Sequence, residues 1–131
     1  MPTVTFDLIQ TGHAYSRKEL ASIWGYASFH AIARGVVTPR DDNKILLFVT
    51  EEKQTSAQPY ADRLRNGRLN WEGPTDHFGD DRIVNAARIG DQIHLFYRQR
   101  HREDFTYVGR LELLEHTLES KVPSRFTFRV L

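Results

Sequence analysis

Hydrophobic positions along this chain follow two periods, and the period that holds locally predicts the element. Lys44 to Thr50 is the strongest segment, since the six consecutive positions from Ile45 to Thr50 are apolar or β-branched. Such a run predicts a strand covered on both faces, as in a closed or helix-capped sheet. Gln92 to Arg98 predicts another strand. Asp104 to Leu113 sets Phe105, Tyr107, Gly109 and Leu111 on one face at period two. Arg125 to Leu131 does the same, with Phe126, Phe128 and Val130 inward and Arg125, Thr127 and Arg129 outward. Residues 4–9 alternate loosely and predict a first strand, and Leu69 to Trp71 predicts a short one ended by Gly73-Pro74.

Helical signals interrupt the strands twice. Ser16-Arg17-Lys18-Glu19 is a capping box, in which the Ser16 hydroxyl accepts from the Glu19 backbone N–H and the Glu19 carboxylate reaches back. It predicts a helix to about Trp24, ended by Gly25, with Leu20, Ile23 and Trp24 on its buried face. Asp80 to Ile89 predicts a second helix with Ile83, Ala86 and Ala87 inward, closed by Gly90-Asp91. Phe29 to Val37 fits neither period cleanly, Asp41-Asp42-Asn43 is a turn, and residues 51–68 read as a polar, Arg-rich loop with one helical turn. The fold class expected is α+β, a curved, mostly antiparallel sheet or partly open barrel of about five to seven strands with two short helices.

Composition bounds the class. At 131 residues the chain suits one domain spanning 1–131, and no apolar run nears the roughly 20 residues needed to cross a bilayer. The N-terminus lacks a signal-peptide pattern, and the absence of cysteine rules out disulfides and thiolate metal sites, so a cytoplasmic setting without membrane partners is expected. Net charge is only +1, yet 14 of the 18 basic residues are Arg. Arginine binds phosphate and base edges bidentately, whereas lysine is a point charge. Two clusters matter: Arg63, Arg65 and Arg68, and Arg98, Arg100 and Arg102 with His101 between.

Catalytic chemistry finds little support. Asp41/Asp42 and Glu51/Glu52-Lys53 bracket one strand and suggest a Mg²⁺ nuclease, but the strand rise sets the acids roughly 20 Å apart. The six histidines form no short zinc-binding pair, and neither a Gly-x-Ser-x-Gly elbow nor a phosphate-binding Gly-x-x-x-x-Gly-Lys loop occurs. No metal, cofactor or catalytic residue is expected.

A binding module remains. The segment from Pro59 to His77 carries Tyr60, Asp62 and Trp71 among turn-forming residues. Aromatic rings can sandwich an unstacked base, and a carboxylate can accept from the N4 amino group of cytosine. Each ring alone is more readily an ordinary core aromatic, and it is the two together with the flanking arginines that bring a pocket level with that reading.

Six short pieces occur in fixed order: Tyr15-Ser16-Arg17-x-Glu19, Gly35-Val36, Leu47-Phe48-Val49-Thr50, Tyr60-x-Asp62, Leu69-x-Trp71 and Leu95-Phe96-x-Arg98, followed by Phe105-x-Tyr107-x-Gly109. This array resembles the C-terminal domain of unknown function that closes bacterial helicase and phospholipase-D-type nuclease fusion proteins, including restriction systems that attack modified DNA. The resemblance covers about residues 11–131. It implies a twisted barrel similar to the SET-and-RING-associated (SRA) readers, which flip a modified cytosine into a pocket. The chain departs from that pattern at Glu72-Gly73-Pro74-Thr75, where relatives tend to be richer in Ser, Gln and Asn.

The expectation is therefore a non-catalytic module that reads a modified base in double-stranded DNA, 5-methylcytosine or 5-hydroxymethylcytosine first, by base flipping. Tyr60, Asp62 and Trp71 are the expected pocket, with Tyr15 and Arg17 behind them. Arg63, Arg65, Arg68, Arg98, Arg100 and Arg102 are the expected DNA-backbone contacts. A helicase or nuclease chain is a further expected partner. Two alternatives stay open: a protein-interaction or regulatory module of a helicase–nuclease system, and an RNA or modified-RNA binding domain.

Overall fold

In the computed structural model, which describes residues 4–51 and 63–131, the apolar run at Lys44–Thr50 is a strand walled on both sides. This strand, β3, sends Ile45, Leu47 and Val49 into one core and Leu46 and Phe48 into another. The other strands are β1 (Ala14–Tyr15), β2 (Val36–Val37), β4 (Arg63–Arg65), β5 (Arg68–Glu72), β6 (Gln92–Arg98), β7 (Phe105–Thr117) and β8 (Arg125–Val130). They form one sheet in the order β2-β3-β6-β7-β8-β5-β4, with β1 paired to β7. Among the described strands only β3 and β6 run parallel, and the other pairings are antiparallel. Eight described strands slightly exceed the expected number, because β1 and β2 are two-residue pieces below the reach of periodicity.

Both helices form where predicted, except that Ala87 of the second, expected inward, is exposed while Ile83 and Ala86 are buried. Helix α1 (Arg17–Ile23) begins at Ser16 with both hydrogen bonds of the capping box in place, Glu19 N to Ser16 Oγ at 3.0 Å and Ser16 N to Glu19 Oε1 at 3.1 Å. Helix α2 (Asp80–Ile89) is closed by Gly90 in the left-handed conformation (φ 82°), which a glycine adopts without strain. The first core lies between α2 and the curled sheet and holds Leu69, Trp71, Ile83, Leu95, Phe126 and Phe128. On the opposite face of β3 and β6 lies the second, where Leu20 of α1 and Trp24 at its C-cap meet Val4, Ile32, Phe96 and Tyr107.

Three expectations need correction. Residues 4–9 are not a strand but an irregular segment whose Val4 and Ile9 plug the second core. Its loose alternation reflects alternate burial without pairing. Phe105, Tyr107, Gly109 and Leu111 do not share a face, because the β6–β7 register shifts between Leu95 and Phe96 and leaves Val108 without a Cα partner. One extra residue inverts the phase of a strand, so Phe105 and Tyr107 enter the second core and Leu111 the first. Finally, the end of the supposed loop 51–68 is a hairpin. Arg65 pairs with Arg68 around Asn66 (φ 54°) and Gly67 (φ 75°), the two positive-φ residues a tight hairpin turn requires.

Candidate nucleic-acid interface

The curl of the sheet gathers the ends of β3, β4, β6 and β7 on one side. There a cavity of about 540 Å³ opens between Ala14, Leu64, Tyr97, Arg98, Asp104 and Thr106. Leu64 is the inward residue of β4, two positions after Asp62. At the rim Arg65 Nη1 stands 2.6 Å from Glu51 Oε1. Burial by itself would raise the Glu51 carboxyl, but the Tyr97 hydroxyl and the Arg65 and Arg63 guanidiniums outweigh it and hold the group below the usual carboxylate range. Burial, with Glu51 close by, pushes the Tyr97 phenol up to about 12. The hydroxyl feels the Glu51 charge without making a hydrogen bond of ordinary geometry to it, and no described atom satisfies it.

The expected pocket residues divide. Tyr60 and Asp62 lie outside the described residues. Trp71 is only 7% exposed and belongs to the first core, with ring centroids 5.4 Å from Phe126 and 6.2 Å from Phe128. Its indole therefore serves core packing and offers little open face for a base. Tyr15 pairs with Phe105 in β1–β7, and its hydroxyl accepts from Gln10 N at 2.9 Å. Arg17 crosses beneath the chain to donate to the carbonyls of Ile32 (3.0 Å) and Arg34 (3.2 Å).

The expected backbone contacts divide as well. Arg63, Arg65 and Arg68 occupy the outer face of the β4–β5 hairpin, and Arg68 continues across the sheet to Arg129 on β8. Arg98 donates from Nε to Thr50 Oγ1 (2.8 Å) and from Nη1 to the Glu103 carbonyl (3.1 Å), and its guanidinium lies 4.2 Å from the Phe105 ring centre. Arg98, Arg100 and Arg102 do not form one row. β6 ends at Arg98, the chain turns through 99–103, and Arg102 takes φ 72°, so the period-two projection fails beyond the strand. Sequence reasoning missed Tyr97 and Leu64 in the cavity wall. The Asn66-Gly67 dipeptide flanked by Leu64 and Leu69 was the signal that could have placed Leu64 on an inward-facing strand.

Ser124, His77 and Asp80 are the arrangement most like a catalytic relay. However, Asp80 Oδ2 (3.0 Å) and Ser124 Oγ (3.4 Å) both address His77 Nδ1, and Ser124 is fully buried. A relay needs the two ring nitrogens used separately. Among the described residues no group of three or more His, Asp or Glu side chains is placed to hold a metal, and no helix is long and apolar enough to cross a membrane.

The SRA domain of SUVH5 in complex with hemimethylated CG DNA superposes on this chain with a TM-score of 0.66, at 15% identity, covering 100% of this chain and 93% of that one. The chain has the SRA fold. The same domain with fully methylated CG DNA gives a TM-score of 0.67 at 16% identity, covering 97% and 92%. The DNA modification-dependent restriction endonuclease AspBHI gives 0.51 at 13% identity, covering 92% of this chain and 72% of that one. At such identities the likeness is one of fold. No protein-family model matches the sequence, and no curated protein matches it.

Proposed function

We propose that this chain is a non-catalytic reader of a modified base in double-stranded DNA, 5-methylcytosine or 5-hydroxymethylcytosine, serving restriction or defence alongside a helicase or nuclease partner. The observation that carries the reading is the superposition of nearly the whole chain on SRA domains whose complexes contain methylated CG DNA. The cavity beside Tyr97 and Leu64 supports it, because one wall is Leu64 of β4, the strand that directly follows Asp62 in the sequence. A flipped base would enter there, Tyr60 stacking on it and Asp62 accepting from N4, while Trp71 holds β5 in place from the core. Arg63, Arg65, Arg68, Arg100 and Arg102 would meet phosphates.

The test is a titration against matched duplexes carrying cytosine, methylcytosine, hydroxymethylcytosine or methyladenine, with 2-aminopurine beside the modified base to report unstacking. Tighter binding to one modified cytosine with a rise in fluorescence is expected. Equal affinity for all duplexes without a fluorescence change would replace base reading by simple DNA binding. Failure to bind any duplex at low salt would leave the protein-interaction reading.

A further inference from the structure

The Phe105 ring is flanked by guanidiniums from two separate elements. Arg98, at the end of β6, lies 4.2 Å from its centre, and Arg17, at the start of α1, lies 4.9 Å away and also 4.7 Å from Phe48. Both donate to neutral oxygens, Arg17 to the Ile32 and Arg34 carbonyls and Arg98 to Thr50 Oγ1 and the Glu103 carbonyl. Among the described residues neither meets a carboxylate within ion-pair distance. Burial first, and then the nearby Arg98 charge, push the Arg17 guanidinium down to about 10. Two like charges drawn partly out of water beside one ring, with the Glu103 charge easing only Arg98, are costly until an anion neutralises them. Against them opens a cavity of about 250 Å³ whose walls also carry Lys18, Arg102, Glu103 and Asp104. Four cationic side chains there face two carboxylates.

We propose that this shelf is a phosphate site, in which Arg17, Arg98, Lys18 and Arg102 hold one internucleotide phosphate of the bound strand. The assignment rests on the reader function proposed above. Arg98 and Asp104 line both this cavity and the larger one beside Tyr97, so base and phosphate would be gripped on two sides of the same guanidinium. A guanidinium fork matches phosphate oxygens bidentately, and the ring contacts fix the forks in advance.

The experiment has two arms, each run on wild type and on the Lys18→Gln/Arg102→Gln variant, which alters two exposed side chains. In the first, inorganic pyrophosphate is titrated against the Nε–Hε resonances of Arg17 and Arg98, which should shift in wild type and require roughly tenfold more ligand in the variant. The second arm replaces single phosphates near the modified cytosine with neutral methylphosphonate. One position should weaken wild type about tenfold and leave the variant indifferent. Pyrophosphate shifts without a sensitive position, or without binding to any duplex, would assign the shelf to a free phosphate compound and remove it from DNA recognition. Selective duplex binding with no shift and no sensitive position would overturn the phosphate site while leaving the reader function standing.

Discussion

The Arg65 guanidinium meets the Glu51 carboxylate at 2.6 Å, although β4 and β3 stand five places apart along the sheet path. That contact is possible only because the sheet curls, bringing its β4 edge round to the end of β3. It stands beside the Tyr97 phenol, which lines the larger cavity. Glu51→Gln keeps the shape and removes the negative charge that disfavours phenolate. The Tyr97 phenol should then fall from about 12 towards its ordinary value, helped by the unopposed Arg65 charge. The difference between the ultraviolet phenolate titrations of variant and wild type reads it out. Superimposable curves would mean that burial alone sets the phenol and that the rim pair is not formed in solution.

Trp71 provides a test of core against pocket. Its indole packs on Phe126 and Phe128 opposite α2, so Trp71→Ala should cost on the order of 3–5 kcal/mol in a denaturant midpoint analysis. Trp24 is buried in the second core and donates from Nε1 to the Thr5 carbonyl at 2.8 Å, so Trp24→Ala should cost a similar amount. If Trp71→Ala kept full stability and lost DNA affinity, Trp71 would return to the base sandwich.

His94 makes stability depend on pH. Its ring stacks on Phe6 at 3.9 Å, Nδ1 accepts from the Tyr107 hydroxyl at 2.7 Å, and Nε2 donates to Gln92 Oε1 at 3.1 Å. Burial, then the charges of Arg110 and Lys44, push its pKa down to about 3, with Asp42 opposing weakly. The unfolded chain, titrating near the ordinary 6.5, therefore binds a proton between those values that the folded chain refuses. Stability is complete above about pH 6.5 and declines as pH falls towards 3, by about 2 kcal/mol at pH 5. His94→Gln should flatten the acid limb of the stability curve by that amount relative to wild type. Parallel curves would place the proton on His94 in the folded state.

The sequence carried the elements better than their faces. Lys44–Thr50 announced a doubly covered strand because every position needed an apolar neighbour, and Ser16 with Glu19 announced α1 because the cap is local chemistry. The phase of β7 was hidden, since a single unpaired residue at Val108 leaves no compositional mark except the nearby Gly109 (φ 131°). Arg98 shows the same limit at the site. Its charge suggested a phosphate, but its fixed place against Phe105 and Thr50 depends on two strands that are distant in sequence. Leu64 and Tyr97 line the cavity through the curl of the sheet, which no local pattern encodes.

The β4–β5 hairpin offers the cleanest electrostatic test. The tight Asn66-Gly67 turn sets Arg65 directly opposite Arg68, and the strand alternation brings Arg63 to the same outer face. None of the three sits in a core, and Arg63 and Arg68 are exposed, so removing those two should leave the fold intact. Each arginine that neutralises a phosphate releases counterions, so Arg63→Ala/Arg68→Ala should reduce the log–log salt dependence of duplex binding by roughly 0.9 for each phosphate no longer neutralised. Modified and unmodified duplexes should weaken by the same factor, because phosphates carry no base identity. Fluorescence anisotropy across a series of salt concentrations measures both quantities. An unchanged slope would exclude the hairpin from the interface, and a selective loss of modified duplex would move its arginines from the backbone to the pocket.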